Sequence, residues 1–233
     1  MYVNPHFRIE EPGPAHDLIE RVRVGMLVSS VGPHATHIPF VLHRNEGPLG
    51  TLVAHAPRAD PIWRQFGTRM LVVFQGPMSY VRPRFYLRPG LPTYNCMIVH
   101  AYGVPTPIED PDAIMAHLQE LVALHEAPYG DPFTIDEVPA DYVRSLLPAI
   151  APFTLEIDLL QAKFRLSQNR GRDERTRVQD ALRERGRDDD LAIAEAMASH
   201  RYARDESRHL LADVMRDDTV LVQDEAPGIP PRR

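Results

Sequence analysis

Polar side chains stand where apolar runs end, and those interruptions carry the chemistry this sequence offers. His55 closes Leu52-Val53-Ala54, His100 closes Met97-Ile98-Val99, and Ser167-Gln168-Asn169-Arg170 follows Phe164 and Leu166. A polar group at such a point would be buried without a partner unless it has a bond to make. A strand-borne histidine facing an apolar cavity has two uses: an orienting hydrogen bond, or ligation of a haem iron through its neutral imidazole. His55 and Arg58 also lie just before a predicted helix start, where Asp60 suits the N-cap, Pro61 suits the first helical position, and Trp63 and Phe66 can face inward. Free N–H groups and the helix dipole there favour an anion, a phosphate or a propionate. The plainer reading of Arg58 is a surface pair with Asp60 or another acid.

A second set of candidates lies between Met70 and Gly103. The runs Leu71 to Phe74, stopped by Gly76-Pro77, and Met97 to Ala101, ended by Gly103, bracket a connection holding Arg82, Arg84, Tyr86, Arg88, Thr93, Tyr94 and Asn95. A plain hairpin needs only about two to five loop residues, so this longer connection reads as a binding-site wall. With Tyr80 and Arg165 it combines phenols and cations suited to holding an amino acid by its carboxylate. No G-x-S-x-G elbow, Gly-rich phosphate loop with lysine, H-E-x-x-H or G-x-G-x-x-G is present. Among eleven histidines, His34 and His37 have no acidic partner nearby in sequence and read as turn and core residues. The single cysteine, Cys96, excludes an internal disulfide and a multi-cysteine zinc site, and reads as a small core residue.

The elements that must position these residues follow from periodicity. Leu18, Ile19 and Val22 mark a short amphipathic helix; Met26–Val31, Ile38–Leu42 and Leu49–Ala54 read as strands of an antiparallel meander. With the two runs above and Gly103–Ile108 there are about six strands in the first half, the count of a small barrel. After Glu109, one helix presents Ile114, Leu118, Leu121, Val122 and His125 on one face, and a second turns Tyr142, Val143, Leu146, Leu147 and Ile150 inward before ending near Pro152. Phe153, Leu155, Ile157 and Leu159 then alternate as a strand that continues through Phe164 and Leu166.

From Gly171 arginines alternate with acids over a thin apolar stripe of Val178, Ala181 and Leu182, the pattern of a solvated helix rather than a DNA-reading one. Leu191, Ala194, Met197 and Ala198 mark a further helix, Leu210, Leu211 and Val214 a last one, and disorder is expected from Asp217. The expected domains are residues 1–170 for the cofactor-binding body, with helices at 110–150, 171–216 for a charged helical extension and 217–233 for a tail. At 43% hydrophobic and 25% charged residues the composition is that of an ordinary soluble protein, and a net charge of −6 argues against nucleic-acid binding by the whole surface while leaving a local basic patch open. With no basic-then-apolar leader and no apolar stretch of about 18 residues, a cytoplasmic protein without a membrane partner is expected.

Several motifs in order resemble the PaiB family, known as FMN-binding negative transcriptional regulators: Met1-Tyr2-Val3 with Pro5-His6-Phe7, ATH-x-P at 35–39, AH-x-x-RADP-x-W at 54–63, F-x-GP-x-x-Y at 74–80, PTYN at 92–95, VHAYG at 99–103 and LSQNR at 166–170. The resemblance implies a mainly β fold with peripheral helices, the split β-barrel of flavin- and haem-binding proteins, as a homodimer with the cofactor at the subunit interface. It also reaches the family's haem-dependent piperazate synthases, which close N5-hydroxyornithine into a cyclic hydrazine. Between Tyr86 and Pro92 this chain has only LRPGL, where regulators carry a longer lysine-bearing insertion. Against that, Arg165 stands where the synthases have a lysine directly before the LSQ motif, and arginine cannot readily act as a base. Ala54, Asp60 and Phe85 also depart from common forms.

The resemblance implies haem b, with FMN as the alternative, and His55 as the metal ligand. The expected cofactor-binding set is His55, Arg58, Asp60, Trp63, Arg82, Tyr86, Thr93, Asn95, His100, Gln168 and Asn169, with Arg165 and Tyr94 acting on a small, amino-acid-derived substrate. A flavin-binding regulator and a cofactor-free interaction protein are the competing readings.

Overall fold

The structure, a computed structural model, describes residues 1–200. Strand β1 (Arg8–Ile9) precedes helix α1 (Pro12–Val22), and then come β2 (Val24–Val28), β3 (Ala35–His43), β4 (Thr51–Pro57), β5 (Met70–Val81), β6 (Thr93–Gly103) and β7 (Pro105–Pro107). Helices α2 (Pro111–Glu126) and α3 (Ala140–Leu146) lead to β8 (Ile150–Glu156) and β9 (Leu159–Arg165), and α4 (Arg172–Arg185) and α5 (Asp188–Ser199) end the described chain. All strand pairs are antiparallel, in the order β1-β9-β6-β5-β2-β3-β4-β8-β7.

That order closes on itself. Only Val104 separates β6 from β7, so one strand path pairs with β9 through β6 and with β8 through β7. Its partners make the matching crossing at Ile157 and Asp158, whose N–H groups donate to Gly50 and Tyr102 carbonyls at 3.0 and 2.9 Å. The result is a barrel of β2, β3, β4, β8, β7/β6 and β5 without a free edge in the ring. Phe40, Phe74 and Phe153 come from strands that do not pair with one another, yet their rings meet edge-on at 5.5 and 6.2 Å, so they fill the interior. Leu52, Ala54 and Ala56 of β4 are fully buried on the same side. Strand alternation then puts His55 on the outer face.

Several sequence expectations need correction. Gly76-Pro77 does not stop the strand: β5 runs through to Val81, and the pair forms a bulge where the register shifts between Gln75 and Met78. A bulge tolerates a residue without an N–H to give. The expected strand from Phe153 to Leu166 is two strands, broken at the crossing just described. Pro152 does not end a helix but lies inside β8, opposite His55. The segment after Asp60 is a single 3-10 turn, Pro61–Gln65. The apolar face expected for the second helix is only partly used, since Val143 is buried but Tyr142 and Leu146 stay 59% and 49% exposed.

The charged segment is bound to the barrel more tightly than its composition suggests. Val178 and Leu182 of α4 and Ile193, Ala194 and Met197 of α5 belong to the same core cluster as the barrel residues. Asp190, 2% exposed, takes a two-pronged bond from Arg185, and Ser79 of β5 donates to the same carboxylate. Arg185 also donates to Ser79 Oγ at 2.9 Å and to the Tyr80 carbonyl at 3.0 Å. The Arg185 guanidinium foremost, against the cost of burial, holds Asp190 below the usual carboxylate range. The helix expected at Leu210 to Val214 and the tail from Asp217 lie outside the described residues.

Closure yields a test. A Cβ on Gly103 would lie 2.2 Å from the Glu156 carbonyl oxygen, which is backbone and cannot rotate away. Gly103→Ala should destabilise the protein by about 3 kcal/mol in urea denaturation, whereas Gly130→Ala, with nothing within 4 Å of its Cβ, should be close to neutral.

Candidate functional site

His55 is half-buried on the outer wall of β4, where α2 crosses it. Its Nδ1 lies 3.1 Å from Nε2 of His117, the one buried residue of α2, and the rings meet at 74° with centroids 5.3 Å apart. No other hydrogen bond engages His55 among the described residues, so its Nε2 is left over. Burial holds the His55 imidazole below its usual range; burial, then the neighbouring His55 and His43, pushes His117 down to about 4. Both rings are therefore neutral at pH 7, the state in which an imidazole nitrogen carries a lone pair. His117 Nδ1 is buried without a hydrogen-bond partner among the described residues. A turn further along α2, Glu120 accepts from His43 Nε2 at 2.9 Å, and Arg23 donates to the Leu124 carbonyl at 2.7 Å.

The neighbourhood of Arg58 differs from the expected anion seat. Asp60 caps the short turn with its own carboxylate, accepting from Ile62 N at 2.9 Å and bonding His34 Nε2 at 2.8 Å. Although burial opposes it, the bonds from Ile62, His34 and Thr36 keep this carboxyl below its ordinary range. A charged carboxylate thus occupies the place proposed for a phosphate. Arg58 lies 4.5 Å over the Trp63 ring, its Nε donates to the Ile150 carbonyl at 2.9 Å, and Trp63 Nε1 donates back to the Arg58 carbonyl at 2.9 Å. The two terminal guanidinium nitrogens make no hydrogen bond among the described residues.

The other candidates fall into separate neighbourhoods. Tyr86 is buried beneath Arg170, 4.2 Å from its ring, and burial raises its phenol while Arg170 and Arg165 draw it down. Arg165 also sits 5.1 Å over Phe7, and Arg170 pairs with Glu174 at 3.7 Å. Tyr94 is 54% exposed and packs on Tyr80 at 5.5 Å, beside a cleft of about 470 Å³ lined by Met78, Arg187, Asp188 and Asp189. Asn95 is fully buried, bonding Ser167 Oγ at 3.0 Å and Met197 Sδ at 3.5 Å, so its amide ties β6 to α5.

Gln168 accepts from Leu166 N at 2.6 Å and donates to the Phe164 carbonyl, closing the turn after β9. His100 faces out near Tyr102, 3.5 Å away, whose hydroxyl and Gln161 receive the Met1 amino group. Thr93 is half-buried, and Arg82 and Asn169 are exposed. Sequence reading missed His117, although its spacing from Ile114 and Leu121 puts it on the helix face that the apolar pattern marks.

The imidazole pair makes stability depend on pH. A histidine whose folded value is depressed contributes nothing adverse above its unfolded value and costs stability as pH falls below it. For His117 that window runs from 6.5 down to about 4. The stability of the wild type relative to His117→Gln should fall by about 3 kcal/mol between pH 7 and pH 4, measured by urea denaturation at each pH.

A family model described as "Putative FMN-binding domain" matches residues 1–159. The chain is 26% identical over 201 residues to "Protease synthase and sporulation protein PAI 2" of Bacillus subtilis, covering 84% of this chain and 96% of that protein. It is 28% identical over 198 residues to an uncharacterised protein of Emericella nidulans, covering 69% and 79%. Among solved structures, the FAD and haem binding protein from Mycobacterium smegmatis aligns with a TM-score of 0.50 at 19% identity, over 72% of this chain and 78% of that one. The flavocytochrome Anf3 from Azotobacter vinelandii aligns with a TM-score of 0.50 at 15% identity, over 70% and 72%. The closed barrel is thus a split β-barrel, and the chain belongs to the FMN-binding domain family that includes the PaiB proteins.

Proposed function

We propose that this chain is a haem-binding member of its family, with His55 Nε2 as the axial ligand, acting as a homodimer on a small amino-acid-derived substrate. The observation that carries the reading is the His55 to His117 bond: one ring nitrogen is fixed, the other is neutral and unclaimed on the outer face. Metal-ligating histidines are commonly held in this way by a bond to the second nitrogen. Arg58, with two free guanidinium nitrogens on the strand's end, would meet a propionate. The groove between α2 and α3, about 270 Å³ and lined by Leu118, Val143 and Leu146, is apolar and uncovered among the described residues, which supports a homodimer.

The reaction proposed is ring closure of N5-hydroxyornithine. The N–O bond breaks, the α-amine nitrogen forms the N–N bond, and the hydroxyl leaves as water with a proton from that amine, so no oxidant is needed. Haem bound at His55 would supply a Lewis acid to polarise the N–O bond. Arg165 stays charged and serves to hold the substrate carboxylate, while the Tyr94 phenol relays the proton. These two side chains are in different neighbourhoods of one protomer, and assembly with a second protomer is part of the proposal.

The second reading is a flavin-binding protein, favoured by the family description and by Arg58 as a phosphate partner. One set of spectra separates the two. On titration with haemin the wild type should develop a Soret band, and His55→Ala should lose most of it while keeping its far-UV circular dichroism. A dimer mass by light scattering and loss of one water from N5-hydroxyornithine by mass spectrometry should accompany haem binding. Saturable FMN binding with no haemin binding, weakened by Arg58→Ala and not by His55→Ala, would establish the flavin reading instead.

A further inference from the structure

Resting on the reading of His55 as ligand, we infer that His117 is the positioning residue for that ligand, fixing its ring and accepting the Nδ1 proton of the tautomer that leaves Nε2 open. His117 Nε2 stands 3.1 Å from His55 Nδ1, and the ring centroids 5.3 Å apart leave about one ring radius on each side of that contact, so the bond lies close to the plane of both rings. For His55 to present a lone pair at Nε2, its proton must be on Nδ1, and that N–H must then donate to His117 Nε2. His117 in turn carries its own proton on Nδ1, the atom buried without a partner among the described residues.

The opposite arrangement has His117 Nε2–H donating to His55 Nδ1, with the His55 proton on Nε2, where it blocks a metal. To pass from this arrangement to the one that binds metal, the bridging proton crosses from His117 Nε2 to His55 Nδ1 and a second proton leaves His55 Nε2 while one is gained at His117 Nδ1, with no change in charge on either ring. The orphaned Nδ1 is an unsatisfied N–H in the arrangement that binds metal and an unsatisfied lone pair in the other, so a metal at His55 Nε2 would decide between them. His117 accordingly sets both ring orientation and ligand basicity, and it reaches the ligand from α2, an element outside every motif that carries the family resemblance.

Three proteins test this: wild type, His117→Phe, which keeps a ring but removes the acceptor, and His117→Gln, which restores one. Haem affinity is measured by haemin titration, and the ferric/ferrous midpoint potential by spectroelectrochemistry. His117→Phe should bind haemin about ten- to a hundredfold more weakly and show a raised potential, because a less basic axial imidazole stabilises ferric iron less. His117→Gln should recover most of both, and circular dichroism confirms folding of each.

Unchanged affinity and potential in His117→Phe, with haem still bound through His55, overturns this inference alone. Equal losses in His117→Phe and His117→Gln also overturn it, since they mark a packing role. If His55→Ala binds haemin as the wild type does, or the wild type does not bind it, the ligand reading fails and this inference with it.

Discussion

Closure of the six-strand ring is the constraint from which the rest follows. The path through Gly103, Val104 and Pro105 passes from β9 to β8 with Glu156 backbone against Gly103, and only a residue without a side chain fits there. A closed ring of this size has its interior filled by its own side chains, here by Phe40, Phe74 and Phe153 with small Ala54 and Ala56 beside them. No room remains inside for a ligand the size of a flavin or a porphyrin. The seat proposed for the cofactor is accordingly on the outer wall, among residues whose alternation turns them outward.

On that wall, the balance between burial and bonding decides what each polar group can do. Asn95, Asp190 and Ser79 are buried and fully engaged, and they fasten β5 and β6 to the terminal helices. Their bonds are stabilising because the alternative is an unpaired polar group in an apolar setting. His55 and His117 differ in kind. They share one bond and leave a nitrogen over on each ring, which is an expensive arrangement for a purely structural contact. A neutral imidazole with an unclaimed nitrogen at the protein surface is what a metal or a hydrogen-bonding cofactor uses.

Much of the fold was legible in the sequence, and the reasons for the exceptions are physical. Five of the six ring paths come from the first half, and β2 to β6 were marked by apolar or β-branched runs between turn residues, with β7 only a short continuation past Val104. Gly76-Pro77 misled because the pair stops a regular strand but also makes a bulge, and local sequence cannot tell which neighbour absorbs the extra residue. Ile157 misled because the alternation continues unbroken through the crossing, while the two halves pair with different strands. The helix from Gly171 reads as solvated from its charge, yet Val178 and Leu182 suffice to seat α4 against α5, whose Ile193, Ala194, Ala196 and Met197 join the barrel core. Of the proposed site, His55 is marked in the sequence by its place at the end of an apolar run. His117 could not be paired with it, because contacts between a strand and a helix 62 residues apart leave no periodic trace.

The central claim is that the cofactor seat is the outer face of β4 beneath α2. Hydrogen exchange read by mass spectrometry on the protein alone, with haemin and with FMN tests it most directly. The account predicts slowed exchange at residues 51–57 and 111–126 when the bound cofactor is added. Protection confined to the β5 and β6 tips and to α5, with β4 and α2 unchanged, would contradict it.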